Sequence, residues 1–204
     1  METILSGQNY SSLPFKLGDY RLASIEAVVF SDCKFNKCSF HEASLINCKF
    51  NQCTFLDCDF GLAKLTNSSF AETLFKKCQL VGINWTDTSL KKKSYLKPVD
   101  FDACVLNHSI LSGLILKKVQ LSRCTVYDVD FSESDLSGAD CRYSDFARTL
   151  FHHTNLSGAD FRGAQYYGIS VLDNVVKKAR FSLPEAMSLL NGLEIELSDA
   201  DFAE

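Results

Sequence analysis

Phe30-Ser-Asp-Cys33-Lys-Phe35-Asn-Lys-Cys38-Ser-Phe40-His-Glu-Ala43-Ser-Leu45-Ile-Asn-Cys48-Lys-Phe50-Asn-Gln-Cys53-Thr-Phe55-Leu-Asp-Cys58-Asp-Phe60 decides the fold, because it counts in fives. Every fifth residue is large and apolar, and two residues ahead of each sits a small one. An α-helix advances about 100° per residue, so every fifth side chain would land about 140° further round and no apolar face would form. A β-strand fails too, because side chains alternate faces and five is odd. The backbone that brings every fifth side chain to one core turns a corner every five residues. Each such unit buries little alone, and stacked coils share one interior.

Outward from this stretch, the apolar frame runs from Tyr20 to Leu90 and again from Phe101 to Tyr166 and Val171, with no polar exception. At the small position only Ile83, Leu114 and Ile169 are large. Gly82, Gly113, Gly138, Gly158, Gly163 and Gly168 all fall two residues after a central apolar residue. Glycine there suits a turn that needs positive φ.

Units such as Ser134-Asp-Leu-Ser-Gly138, Ala159-Asp-Phe-Arg-Gly163 and Cys48-Lys-Phe-Asn-Gln52 resemble the pentapeptide repeat family, whose consensus is Ala-Asp/Asn-Leu-x-x. The resemblance implies an all-β fold, a right-handed quadrilateral β-helix with four pentapeptides per coil. Positions twenty apart should then stack, giving ladders Phe30–Phe50–Phe70, Phe35–Phe55–Phe75 and Ile25–Leu45–Leu65–Trp85.

The chain divides on this reading into an N-terminal cap (1–18), a first repeat block (19–90), an irregular connection (91–98), a second block (99–176) and a C-terminal module (177–204). The frame slips by one residue near Lys91–Lys93, since Leu90 to Leu96 takes six residues. Lys91, Lys92, Lys93 and Lys97 make this the most basic segment. It reads either as a solvated bulge or as a contact loop for an acidic partner.

After Val171 the texture changes. Ser182 and Glu185 have the spacing of a capping box, Pro184 suits a first helical turn, and Gly192 suits a stop. The spacing predicts a short α-helix with Leu183, Ala186, Met187 and Leu190 on one face, and a strand at Leu193-Glu-Ile-Glu-Leu197. Tyr167-Gly-Ile, the Asn174 stretch, Phe181-Ser-Leu-Pro-Glu-Ala and Leu189-Leu190 resemble the Qnr-type branch, which protects gyrase from quinolones or peptide poisons. The resemblance implies a homodimer in which Leu183, Ala186, Met187, Leu190 and Leu193 join two rods end to end. The alternative is a helix that only caps its own last coil.

Nine cysteines raise a disulfide or metal question, and the frame bears on it. Eight occupy the small position and Cys141 a central one, so they read as buried structural thiols. Stacked disulfides, or a metal site at Cys48, Cys53 and Cys58, are the lesser readings. The formal net charge is −4, which disfavours direct binding to nucleic acid. No apolar run is long enough to span a membrane, and the N-terminus lacks a secretion signal. The expected location is cytoplasmic.

Charge is unevenly spread. Residues 31–98 hold ten lysines against six acids. Residues 125–165 hold Asp128, Asp130, Glu133, Asp135, Asp140, Asp145 and Asp160 against Arg142, Arg148 and Arg162. Asp130, Asp135, Asp140 and Asp145 precede four consecutive central residues and should ring one coil. Short acids there support turns through the backbone, and the same acids form a candidate partner surface. His41, His108, His152 and His153 show no nucleophile-and-base pattern, and no phosphate loop or cofactor motif is present. The Qnr-type resemblance implies a non-enzymatic, DNA-mimicking rod that binds DNA gyrase or topoisomerase IV. The other reading is a structural or adaptor protein presenting flat faces to a different protein.

Overall fold

A computed structural model describes residues 3–91, 99–193 and 195. Among the described residues twelve short strands follow in order: β1 (Asn9–Ser11), β2 (Pro14–Lys16), β3 (Ser24–Glu26), β4 (Val29–Ser31), β5 (Lys34–Asn36) and β6 (Ser44–Ile46). Then come β7 (Lys49–Asn51), β8 (Thr54–Leu56), β9 (Ser69–Ala71), β10 (Thr73–Lys76), β11 (Val99–Asp102) and β12 (Leu121–Ser122). They pair in parallel in three sheets, ordered β1-β4-β7-β9, β2-β5-β8-β10-β11-β12 and β3-β6. Pairs such as Phe35↔Phe55 and Phe30↔Phe50 are twenty residues apart. Single bridges complete the fourth side, running Asp19–Ser39–Asp59–Gln79–Val105–Thr125–Asp145–Gln165. The chain is therefore a parallel solenoid with one pentapeptide on each of four sides.

The corners explain the period. The N–H of the small residue returns to the carbonyl of the central residue before it, as in Ala43 to Phe40 (2.9 Å) and Ala139 to Leu136 (3.0 Å). The residue between them with positive φ is glycine at Gly82 and Gly163, but Leu22 (φ 58), Leu62 (φ 57) and Glu133 (φ 60) do the same. Left-handed backbone costs a non-glycine residue about 1–3 kcal/mol. Stacking over-determines it, because that residue's N–H donates to the next coil, as in Leu62 to the Val81 carbonyl at 2.8 Å. Glycine is thus not required for φ. At Gly82 and Gly163 it provides room, since a Cβ would stand 2.6 Å from the Leu62 and Tyr143 side chains of the preceding coil.

Central side chains fill the interior. Phe15, Phe35, Phe55 and Phe75 stack with ring centroids 4.7, 4.5 and 4.8 Å apart. Phe30, Phe50 and Phe70 form the neighbouring ladder at 5.0 Å spacing, and Trp85 packs edge-on against Phe70, Phe75 and Phe101. All nine thiols are free and buried. They are more than small hydrophobes: Cys53 and Cys78 direct Sγ at the Phe30 and Phe55 carbonyls of the previous coil (3.6 and 3.5 Å). Ser68 and Thr73 hydroxyls do the same at 2.9 and 3.0 Å. Burial pushes the Cys53 thiol up to about 12, which suppresses the reactive thiolate.

The structure departs from the expected layout at four places. The stack begins before residue 19: β1 and β2 pair with β4 and β5 through Tyr10↔Phe30 and Phe15↔Phe35, so 1–18 is not merely a cap. The mid-chain irregularity is not a one-residue slip. Phe75 pairs with Phe101 and Asn84 with Ile110, 26 residues apart rather than 20, so one coil carries six extra residues after the helical turn Ser89–Lys91. Near the end the frame breaks: Tyr166 is exposed while Tyr167 and Ile169 are buried, and Val171 is only half-buried. The last ladder still reaches Arg180, bridged to Asp160.

The C-terminal segment also departs from the expected α-helix. Among the described residues the segment forms only a 3-10 helix, Glu185–Leu190, with Pro184 at its N-cap and no side-chain cap. Ser182 and Glu185 do not form a capping box. Ser182 Oγ accepts the Gly163 N–H (2.9 Å) and Glu185 Oε1 the Tyr166 N–H (2.7 Å), nineteen residues back in each case. Backbone carbonyls nineteen residues ahead serve elsewhere, as Asp160 does for Cys141. The two side chains therefore replace a missing coil and close the exposed edge. The predicted strand at 193–197 lies largely outside the described residues.

Candidate partner-binding surface

Each corner aspartate is held by its own turn. Asp130, Asp135 and Asp145 accept the N–H of Ser132, Ser137 and Ala147 at 2.8, 3.0 and 2.9 Å. Asp140 and Asp160 accept those of Arg142 and Arg162, both at 3.2 Å. Short carboxylates favour such turns, so the same geometry that shapes the corner fixes the charge.

Asp130, Asp135, Asp140 and Asp145 ring one coil instead of sharing a face, and Asp160 lies one coil beyond Asp140. Asp130 stacks with Ile110 and Leu150, Asp135 with Ile115 and Asn155, Asp140 with Gln120 and Asp160, and Asp145 with Thr125 and Gln165. Most are compensated. Arg142 holds both oxygens of Asp140 at 2.8 Å, and Arg162 holds those of Asp160 at 2.9 and 2.7 Å, with Arg180 at 3.6 Å. Lys117 lies 3.3 Å from Asp135, while His108 and Arg148 flank Asp128 at 3.0 and 3.8 Å. Among the described residues, Asp130, Glu133 and Asp145 make no ion pair.

One charged cluster was not legible in the sequence. Asp102 is nearly buried between Lys76 (3.4 Å) and Arg123. Lys76 and Asp102 meet only because the register across the insertion is 26 residues, whereas a one-residue slip places them on different corners. The contact-loop residues Lys92, Lys93 and Lys97 lie outside the described residues, as does the Lys91 side chain. Of the residues assigned to dimerisation, Leu183 and Met187 are exposed, and Ala186, Leu190 and Leu193 are half-buried. No group of three or more His, Cys, Asp or Glu side chains among the described residues is arranged to hold a metal ion. No helix there is long and apolar enough to cross a membrane.

The Arg142 guanidinium holds Asp140 below its ordinary range, and Arg162 does the same for Asp160. A depressed folded pKa stabilises the native state fully above the unfolded value and loses that stabilisation as pH falls through the folded value. The urea midpoint should therefore stay level from neutral pH down to about 5, then fall below about 4, where free carboxylates titrate. Arg142→Gln with Arg162→Gln should flatten that acid limb. An acid limb of unchanged steepness in the double variant would show that these pairs do not set it.

The "Pentapeptide repeat region" family matches residues 28–97, and "Pentapeptide repeats (8 copies)" matches 100–138 and 130–165. No curated protein matches the chain in sequence. A trypsin-treated variant of QnrB1, described as a plasmid-mediated fluoroquinolone resistance protein, is similar in structure with a TM-score of 0.63 at 15% identity. The match covers 95% of this chain and 93% of that one. Full-length QnrB1 matches with a TM-score of 0.51 at 16% identity, over 92% of this chain and 100% of that one.

Proposed function

As a member of the pentapeptide repeat family, which is where this chain belongs, we propose that it works as a non-enzymatic binding rod directed at a type II topoisomerase. DNA gyrase or topoisomerase IV would be the partner, and the outcome a changed response to quinolones or peptide poisons. The observation that carries this reading is the set of uncompensated acids Asp130, Glu133 and Asp145, standing on rigid corners of successive sides. Fixed carboxylates can replace the phosphates that dominate the affinity of a DNA-binding enzyme. The fold shared with QnrB1 supports the same direction. The setting would be the cytoplasm, where free thiols persist.

Purified rod at micromolar concentration should alter supercoiling by gyrase, or its inhibition by a fluoroquinolone. Asp130→Asn, Glu133→Gln and Asp145→Asn together should abolish the effect while leaving both turns an amide oxygen as acceptor. Supercoiling and drug sensitivity that ignore the wild-type rod would remove this reading. The adaptor reading would then stand, and the pairing of Asp135, Asp140 and Asp160 with cations favours it, since paired carboxylates do not present a phosphate-like array.

Dimerisation belongs to the same proposal. Leu183 and Met187 stand 76% and 47% exposed beyond the last coil, with Leu172 exposed nearby in the chain, an apolar end suited to a second copy. Sedimentation equilibrium should give twice the 22.8 kDa chain mass, and Leu183→Glu with Met187→Glu should halve it. A wild-type monomer at tens of micromolar would rule the dimer out.

A further inference from the structure

The side of the rod that carries Asp140 and Asp160 bears three guanidiniums. Asp140, Asp160 and Arg180 stack in one column, with Arg142 and Arg162 beside them. Together with Gly138, Ala139 and Gly158 they line a polar cleft of about 250 Å³. Gly158 leaves its wall open, since a Cβ there would meet nothing within 4 Å, whereas one at Gly138 would stand 3.3 Å from Lys118 Cγ. That volume falls below the ~300–1,000 Å³ typical of cofactor sites, so the cleft admits side chains rather than a cofactor.

Two aspartates orient these arginines without exhausting them. Each of Arg142 and Arg162 spends Nε and Nη2 on its own carboxylate. A guanidinium has five donors in a fixed fork, so the outer Nη1 edge of each remains for another acceptor. Arg180 is held only loosely, at 3.6 Å, and its side chain is 60% exposed. Three cations against two anions leave the cleft positive on a chain whose net charge is negative.

We infer that this cleft binds a carboxylate-bearing segment of a partner protein, with Arg180 as the primary contact and Arg142 and Arg162 as pre-aligned supports. A carboxylate matches the paired donors of a guanidinium. A duplex is disfavoured, because a long polyanion would also meet the unpaired Asp145 on the adjacent side, whereas a short acidic peptide stays within one. The inference stands independently of topoisomerase binding, which uses the opposite charge.

The probe is a fluorescein-labelled hexaglutamate peptide, followed by anisotropy with the full chain. Saturable binding should weaken as salt rises from ~50 to ~200 mM. Arg180→Gln leaves both bidentate pairs in place, so the fold should hold, and it should weaken binding by about fivefold or more. Lys34→Gln with Lys49→Gln, in the first half of the rod, should leave affinity unchanged. The inference is overturned if hexaglutamate does not bind, if the arginine and lysine variants lose affinity equally, or if a short DNA duplex binds more tightly than the peptide.

Discussion

Replacing Phe55 with alanine should cost about 3–5 kcal/mol, the range for removing a fully buried phenylalanine. Phe55 is 0% exposed, stacked at 4.5 and 4.8 Å between Phe35 and Phe75, with Phe50 and Phe60 edge-on at 5.5 and 5.1 Å. The neighbouring coils cannot close the gap, because their backbones are locked to each other by a continuous hydrogen-bond ladder. A solenoid couples mainly nearest neighbours, so the damage should be uneven. Hydrogen exchange should accelerate most around β5, β8 and β10 and least near Leu156 and Phe161. The adjacent Leu56→Ala, on the outer surface of the same strand, should cost under about 1 kcal/mol. Equal losses for the two variants, or uniform acceleration along the rod, would contradict the ladder account.

A loss on the order of 3 kcal/mol is expected for Asn174→Ala, although no large side chain leaves the core. Asn174 is buried and makes three hydrogen bonds. Its Oδ1 accepts the Thr154 N–H at 2.8 Å, and its Nδ2 donates to the carbonyls of Phe151 and Ser170 at 3.0 and 2.9 Å. Earlier coils solve the same problem with hydroxyls: Ser144 accepts the Cys124 N–H and donates to the Leu121 carbonyl. Alanine leaves one donor and two acceptors unpaired, whereas Asn174→Ser keeps one of each and should cost less. Urea unfolding measures the total, and exchange at the Thr154 amide reports the site. Wild-type stability in the alanine variant would mean that water reaches these groups.

The core was legible because it is written locally. Phe35, Phe55 and Phe75 declare themselves by spacing alone, and their pairing twenty residues apart followed from the family resemblance. The corners were half-legible: the aspartates' turn role was expected, but glycine was credited with a φ that Leu22 and Leu62 also adopt. The C-terminal segment misled for a specific reason. Ser182 and Glu185 carry the spacing of a capping box, and a helix could have used it. Gly163 and Tyr166, nineteen residues earlier, offered unpaired N–H groups at the open end of the stack, and those took the oxygens instead.

By itself the sequence determined the five-residue turn, the single apolar axis and the placing of cysteines on the core frame, because each depends on residues within a few positions of one another. Only the tertiary structure decided which charges survive at the surface. Asp102 meets Lys76 across 26 residues, and Arg180 approaches Asp160 across twenty. Ion pairing is set by distances of a few ångströms, and those distances exist only once the coils are stacked in register.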